Sequence, residues 1–83
     1  MDKSIFSRDY EVFLRRLRDA RQTSGLTQEQ VAGRLGQTQS FVSKCERGER
    51  RLDLVEARAF CAAMGVSFAD FVAAFDAEVS ASE

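Results

Sequence analysis

The chain has 83 residues, with 12 basic and 13 acidic side chains, 45% hydrophobic and 30% charged, the composition of one small folded domain. A chain this short hides only roughly 60% of the surface its unfolded form exposes, so modest stability is expected. Nothing approaches the roughly 18 consecutive apolar residues of a membrane span, and the N-terminus lacks a signal-peptide core; the sequence predicts a cytoplasmic protein without membrane contact.

Glycines supply the punctuation, since proline is absent. The first helix is expected from about Arg8 to Ser24, capped by Ser7 and followed by Gly25. Tyr10, Phe13, Leu14, Leu17 and Ala20 recur at three- and four-residue spacing as one apolar stripe. Arg15, Arg16, Arg18 and Arg21 crowd its second half, where positive charge suits the helix dipole, and read mainly as a solvated face.

Thr27-Gln28-Glu29-Gln30 is a capping box that opens a second helix, with Val31 and Leu35 on one face and Gly36 at its end. Thr38 caps a third helix, in which Val42 and Cys45 point inward and Gly48 closes the segment. Asp53-Leu54-Val55-Glu56 is another capping box, starting a helix to about Met64 whose inner face is Leu54, Ala57, Cys61 and Met64. Ser67, with Asp70 three residues on, caps a last helix bearing Phe68, Phe71, Val72 and Phe75. Residues 1–76 therefore form one all-α domain of five helices, and 77–83 an acidic tail expected to fray.

The residue inventory narrows the chemistry. With no histidine, the usual general base at neutral pH and the commonest metal ligand are missing. Two cysteines, Cys45 and Cys61, cannot complete a four-ligand zinc site and read as small buried hydrophobes of a reduced protein. No catalytic residues, metal, cofactor or small-molecule ligand is expected. The net charge of −1 alone would discourage a nucleic-acid partner, but position matters. Residues 1–58 hold all 12 bases against nine acids, a net +3, whereas residues 59–83 hold four acids and no base. Any anion-binding surface must lie in the first part.

The segment 28–47 joins two short helices by a turn with one glycine, and Ala32 is small where crossing helices approach closely. A helix-turn-helix requires this arrangement, its second helix held out to enter a major groove. With Val42 and Cys45 inward, Ser40, Ser43, Lys44 and Arg47 fall roughly 130–170° away, and Gln39 about 90° round. All are donors or donor–acceptors, with no acid among them, which suits a polyanion. Arg50 and Arg51 follow Gly48, placed for phosphate contact.

LTQEQVAGRLGQTQSFVSKCERGERRLD resembles the DNA-binding domain of the Xre family, the lambda repressor and Cro type of helix-turn-helix. The resemblance runs from about Leu14 to Phe75. It implies a compact five-helix, lambda-repressor-like fold with the helix-turn-helix in helices 2 and 3, binding double-stranded operator DNA as a homodimer. It further implies that Gln39 and Ser40 read base edges, that Lys44 reaches guanine or a phosphate, and that Gln28 anchors a phosphate. Ser43, Arg47, Arg50 and Thr38 would add backbone contacts. Helix capping is the competing role for Gln28 and Thr38, and core packing for Phe41. Glu46, an acid near DNA, must pair internally with a base such as an arginine. Gly33 and Cys45 depart from the family pattern, at the cost of helix stability and packing respectively.

Phe68, Phe71, Val72, Phe75 and Val79 are more apolar surface than one small helix needs inside, which points to the last helix as the dimer contact. A transcriptional repressor acting by operator occupancy is the leading reading. An antitoxin-like protein-interaction module and a thiol redox switch are the rivals.

Overall fold

Capping chemistry written into the sequence sets most helix boundaries. The computed structural model describes residues 4–82, with side chains from residue 8. Its five helices are α1 (Ser4–Thr23), α2 (Gln28–Leu35), α3 (Gln39–Glu46), α4 (Leu54–Met64) and α5 (Phe68–Ala81). Both capping boxes form. The Thr27 hydroxyl accepts from the Gln30 N–H at 3.1 Å, and the Gln30 carboxamide accepts from the Thr27 N–H at 2.9 Å. Asp53 and Glu56 exchange the equivalent pair at 2.7 and 2.9 Å. Thr38 and Ser67 cap α3 and α5 by accepting the N–H three residues on, at 3.1 and 3.2 Å. Each cap satisfies backbone donors that the first helical turn leaves without a partner.

Gly36 ends α2 with φ of +69°. That left-handed conformation is costly for residues with a Cβ and lets the chain turn within three residues into α3. Gly48, beyond α3, also has positive φ, and a Cβ there would lie 3.1 Å from Leu14 Cδ1. The loop after α3 therefore presses on α1.

The core gathers Leu17 of α1, Val31 and Ala32 of α2, Val42 and Cys45 of α3, Phe60, Cys61 and Met64 of α4, and Phe71 of α5. Cys45 and Cys61 are buried free thiols, and burial raises both above the ordinary thiol range, which keeps them inert. Phe41 packs partly against this core, 6.2 Å from the Phe60 ring. No single helix among the described residues is long and apolar enough to cross a membrane.

Four expectations are corrected. The first helix begins at Ser4, so Ser7 lies inside it and is not its cap. The tail from Ala77 is helical to Ala81, because Glu78 takes an ion pair from Arg15 and another from Arg16 Nε at 2.7 Å. These contacts hold the Glu78 carboxyl below the usual range and tie the end of α5 to α1. Leu54, expected inside, is 71% exposed. Its phase is that of the buried Ala57, Cys61 and Met64, but it is the first residue of α4 and lines an open groove with Tyr10, Phe13 and Leu52. Phe60, not anticipated, takes the buried position instead.

The fourth correction concerns α5. Phe71 is 7% exposed, and the Phe13 ring meets Phe71 at 5.9 Å and Phe75 at 6.3 Å, both edge to face. Phe68 is partly buried against the same core. Part of the aromatic surplus is therefore used within the chain, while Phe68 and Phe75 stay half-buried and Val72, at 40%, is exposed. Phe71 is not available to a second copy.

Gly33 offers a direct test of the helix energetics. It lies inside α2, is exposed, and a methyl group there would meet nothing within 4 Å. Gly33→Ala is expected to stabilise by about 0.5–1 kcal/mol through reduced unfolded-state entropy and better helix propensity. Thermal unfolding should rise by roughly 4–8 °C per kcal/mol for a domain of this size.

Candidate nucleic-acid interface

A charged cluster joins the end of α1, the start of α2 and the end of α3. Arg21 donates from Nε to Glu46 Oε2 at 2.6 Å and from Nη2 to Oε1 at 3.0 Å. Its remaining Nη1 donates to the Leu26 carbonyl at 3.0 Å. The side chains are 12% and 5% exposed, so the pair is largely withdrawn from water. Gln28 Nε2 donates to Glu46 Oε1 at 3.0 Å, and Gln39 Nε2 donates to Gln28 Oε1 at 2.7 Å. A chain of hydrogen bonds thus runs from the buried carboxylate to the first residue of α3.

Glu46 finds the internal arginine its position demanded. Arg21, grouped by sequence with the solvated arginines, departs from them. It lies four residues beyond Leu17 and continues the apolar stripe of α1, a phase that would have marked it as inward.

Gln39, Ser40 and Lys44 are exposed along the outer side of α3, and Gln28 is half-buried beside them. Gln39 uses one amide N–H within the protein and keeps its second N–H and its Oε1 for another partner. Thr38 is exposed, with its oxygen engaged in the cap. In front of the α2 N-terminus lies an open depression of about 510 Å³ with a mixed lining that includes Arg21, Leu26, Thr27, Gln28, Glu29 and Gln39.

The arginines beyond α3 are held less freely than the sequence suggested. Arg47 donates to the Ser43 hydroxyl and pairs with Glu49 at 2.8 Å. Arg50 pairs with Glu56 at 2.9 Å and lies 4.8 Å over the Phe41 ring. These bonds hold Glu49 and Glu56 below the usual carboxylate range. Arg51 stacks on Tyr10 at 4.3 Å, away from the α3 face. Glu49, two residues from Arg47, is the acid that holds it, a relation the helical wheel of α3 does not include because Glu49 lies beyond the helix.

Two short helices joined by a glycine turn, the second presenting an acid-free polar face, define a helix-turn-helix domain, the fold of DNA-binding transcriptional regulators. A helix-turn-helix domain family model matches residues 12–75. The chain is also similar to an XRE-family like protein from Pseudomonas syringae pv. tomato str. DC3000, at 41% identity and a TM-score of 0.87, over 92% of this chain and 93% of that one. The chain belongs to the Xre family of helix-turn-helix proteins. No functionally curated protein matches it.

Removing one member of the buried pair strands a charge. Glu46→Ala is expected to cost about 3–5 kcal/mol, while Arg21→Met with Glu46→Leu regains most of that loss. Chemical denaturation of the two variants checks both numbers.

Proposed function

We propose that the chain is a sequence-specific double-stranded DNA-binding protein that represses transcription by occupying an operator, acting as a homodimer in the cytoplasm. The observation that carries this reading is the side-chain arrangement at the front of α3. Gln39 is held by Gln28, which Glu46 holds in turn, and its remaining donor and acceptor match the N6 and N7 edge of adenine. Ser40 and Lys44 stand on the same exposed side, where lysine suits guanine O6 and N7 or a phosphate.

Backbone contacts frame these base contacts. Gln28 flanks the depression at the α2 N-terminus, where free N–H groups and the helix dipole favour a phosphate. Thr38, with its hydroxyl proton still to donate, and Ser43 lie at the same side of the motif. Arg47 reaches a phosphate by exchanging Glu49 for it. That pair is exposed on both sides, 52% and 55%, and such pairs contribute little. Arg50 contributes less than the sequence suggested, because Glu56 and the Phe41 ring keep it on the protein.

One such unit reads few base pairs, so specific affinity calls for two half-sites about one DNA turn apart. Selection from a random duplex pool, followed by titration at several salt concentrations, tests the reading. Affinity should fall steeply with salt, with a log–log slope near −0.9 per phosphate contacted. A flat salt dependence overturns it. Gln39→Ala should cost about 1–3 kcal/mol and relax one base position. Arg47→Ala should weaken all sequences alike and reduce the salt slope by about 1.

A further inference from the structure

Between α1, the start of α4 and α5 opens a groove of about 590 Å³, walled by residues including Tyr10, Phe13, Leu52, Leu54 and Phe75. None of its lining residues belongs to α3. Three aromatic rings meet there: Phe13 lies 5.4 Å from Tyr10 and 6.3 Å from Phe75, centroid to centroid. One cation already rests on this wall, the Arg51 guanidinium, 4.3 Å over the Tyr10 ring. We propose that the groove is a binding site for an organic cation, an ammonium group carried on an apolar body. The ammonium takes the place of the Arg51 guanidinium over Tyr10, and the body lies along Phe13, Leu52, Leu54 and Phe75.

Charge selects this occupant over a neutral or an anionic one. Two carboxylates, Asp9 and Asp53, line the groove against one base, Arg51. Asp9 is half-buried and makes no ion pair among the described residues. Asp53 gives one oxygen, Oδ1, to the cap of α4, which leaves Oδ2 for a ligand. A neutral body filling the groove would strip water from these carboxylates with nothing in return, and an unpaired charge withdrawn from water is costly. An anion would meet them with like charge. A cation gains from the acids and from the ring faces, whose quadrupoles attract positive charge. The volume lies within the range of small-ligand sites, roughly 300–1,000 Å³. Access requires only that Arg51, which is exposed, swing off Tyr10 into water. The ring itself stays in place, because its hydroxyl accepts from the Leu52 N–H at 3.0 Å.

Tyr10 is the only tyrosine and the chain has no tryptophan, so intrinsic fluorescence reports on the groove directly. The full-length chain is titrated with octyltrimethylammonium, octanesulfonate and octanol, which share one apolar chain and differ in charge. Concentrations stay below the micellar range, and calorimetry gives the stoichiometry. The cation should bind saturably, one per chain, about tenfold or more tightly than either of the others. Arg51→Gln should tighten cation binding about threefold, because the internal competitor is gone, and Asp9→Asn should weaken it by a similar factor. Thermal melting checks that both variants are folded. Octanesulfonate binding as tightly as the cation overturns the proposal, as does the absence of saturation by any probe at millimolar concentration. So does a cation affinity that neither substitution changes, or one that falls as protein concentration rises, the mark of a second copy filling the groove. No duplex enters the measurement, so a failure of the DNA reading leaves its outcome intact.

Discussion

Glu46 occupies an unfavourable place for a carboxylate. It closes α3, where the helix dipole is negative, and it is 8% exposed. Only a cation brought to it from elsewhere in the fold makes the position tenable, and Arg21 supplies that cation from the end of α1. Both carboxylate oxygens and all three guanidinium nitrogens have a hydrogen-bond partner. Glu46 accepts three bonds, and Arg21 spends its third on the Leu26 carbonyl. A buried pair of this kind adds little net stability over an apolar replacement. Its effect is geometric: it fixes the end of α1, the start of α2 and the end of α3 relative to one another, and with them the angle at which α3 projects.

Gln28 extends the same constraint to the surface. Because its amide N–H is committed to Glu46, its oxygen faces Gln39, and Gln39 is oriented before any ligand arrives. Ordering a long side chain on binding costs roughly 0.5–1.5 kcal/mol, and the buried pair has met part of that cost on folding. The capping box at Thr27 and Gln30 stabilises the same turn from the other side. Two devices therefore converge on one short stretch of backbone, the one that carries the proposed phosphate anchor.

Signals confined to a few neighbouring residues were legible in the sequence. Thr27 with Gln30, Asp53 with Glu56, and the positive-φ glycines act through their own turn, so spacing alone located them. Glu46 was legible for a different reason: an acid on a reading helix otherwise free of acids needs a partner. Relations between distant elements were not legible. Whether Leu54 is covered depends on what packs beside the first turn of α4, where the structure leaves an open groove, and helical phase does not contain that. Whether Phe71 faces a second copy or Phe13 depends on the packing of α5, and Glu78 extends α5 only through arginines 62 and 63 residues away.

The arginines show how burial sorts charges of one type into different roles. Arg21, 12% exposed, cannot leave Glu46 without stranding a carboxylate in the interior. Arg15 and Arg16 are tied to Glu78 on α5, and Arg51 rests on the Tyr10 ring. Arg47 differs in one respect: its partner Glu49 is exposed and regains full hydration when released, so a phosphate displaces it at little cost. Arg50 is intermediate, since leaving Glu56 also uncovers the Phe41 ring, which is otherwise only half-buried. Among the described residues Lys44 makes no ion pair. Arg15, Arg16, Arg21 and Arg50 are thus committed to holding the helices together, Lys44 and Arg47 stand along the outer edge of α3, and Arg18 and Arg58 are exposed on α1 and α4. On the proposed DNA-binding reading, the steep response to salt would come from few groups on the α3 side, Lys44 and Arg47 foremost, rather than from the arginine-rich half of α1, where Arg15 and Arg16 are held by Glu78.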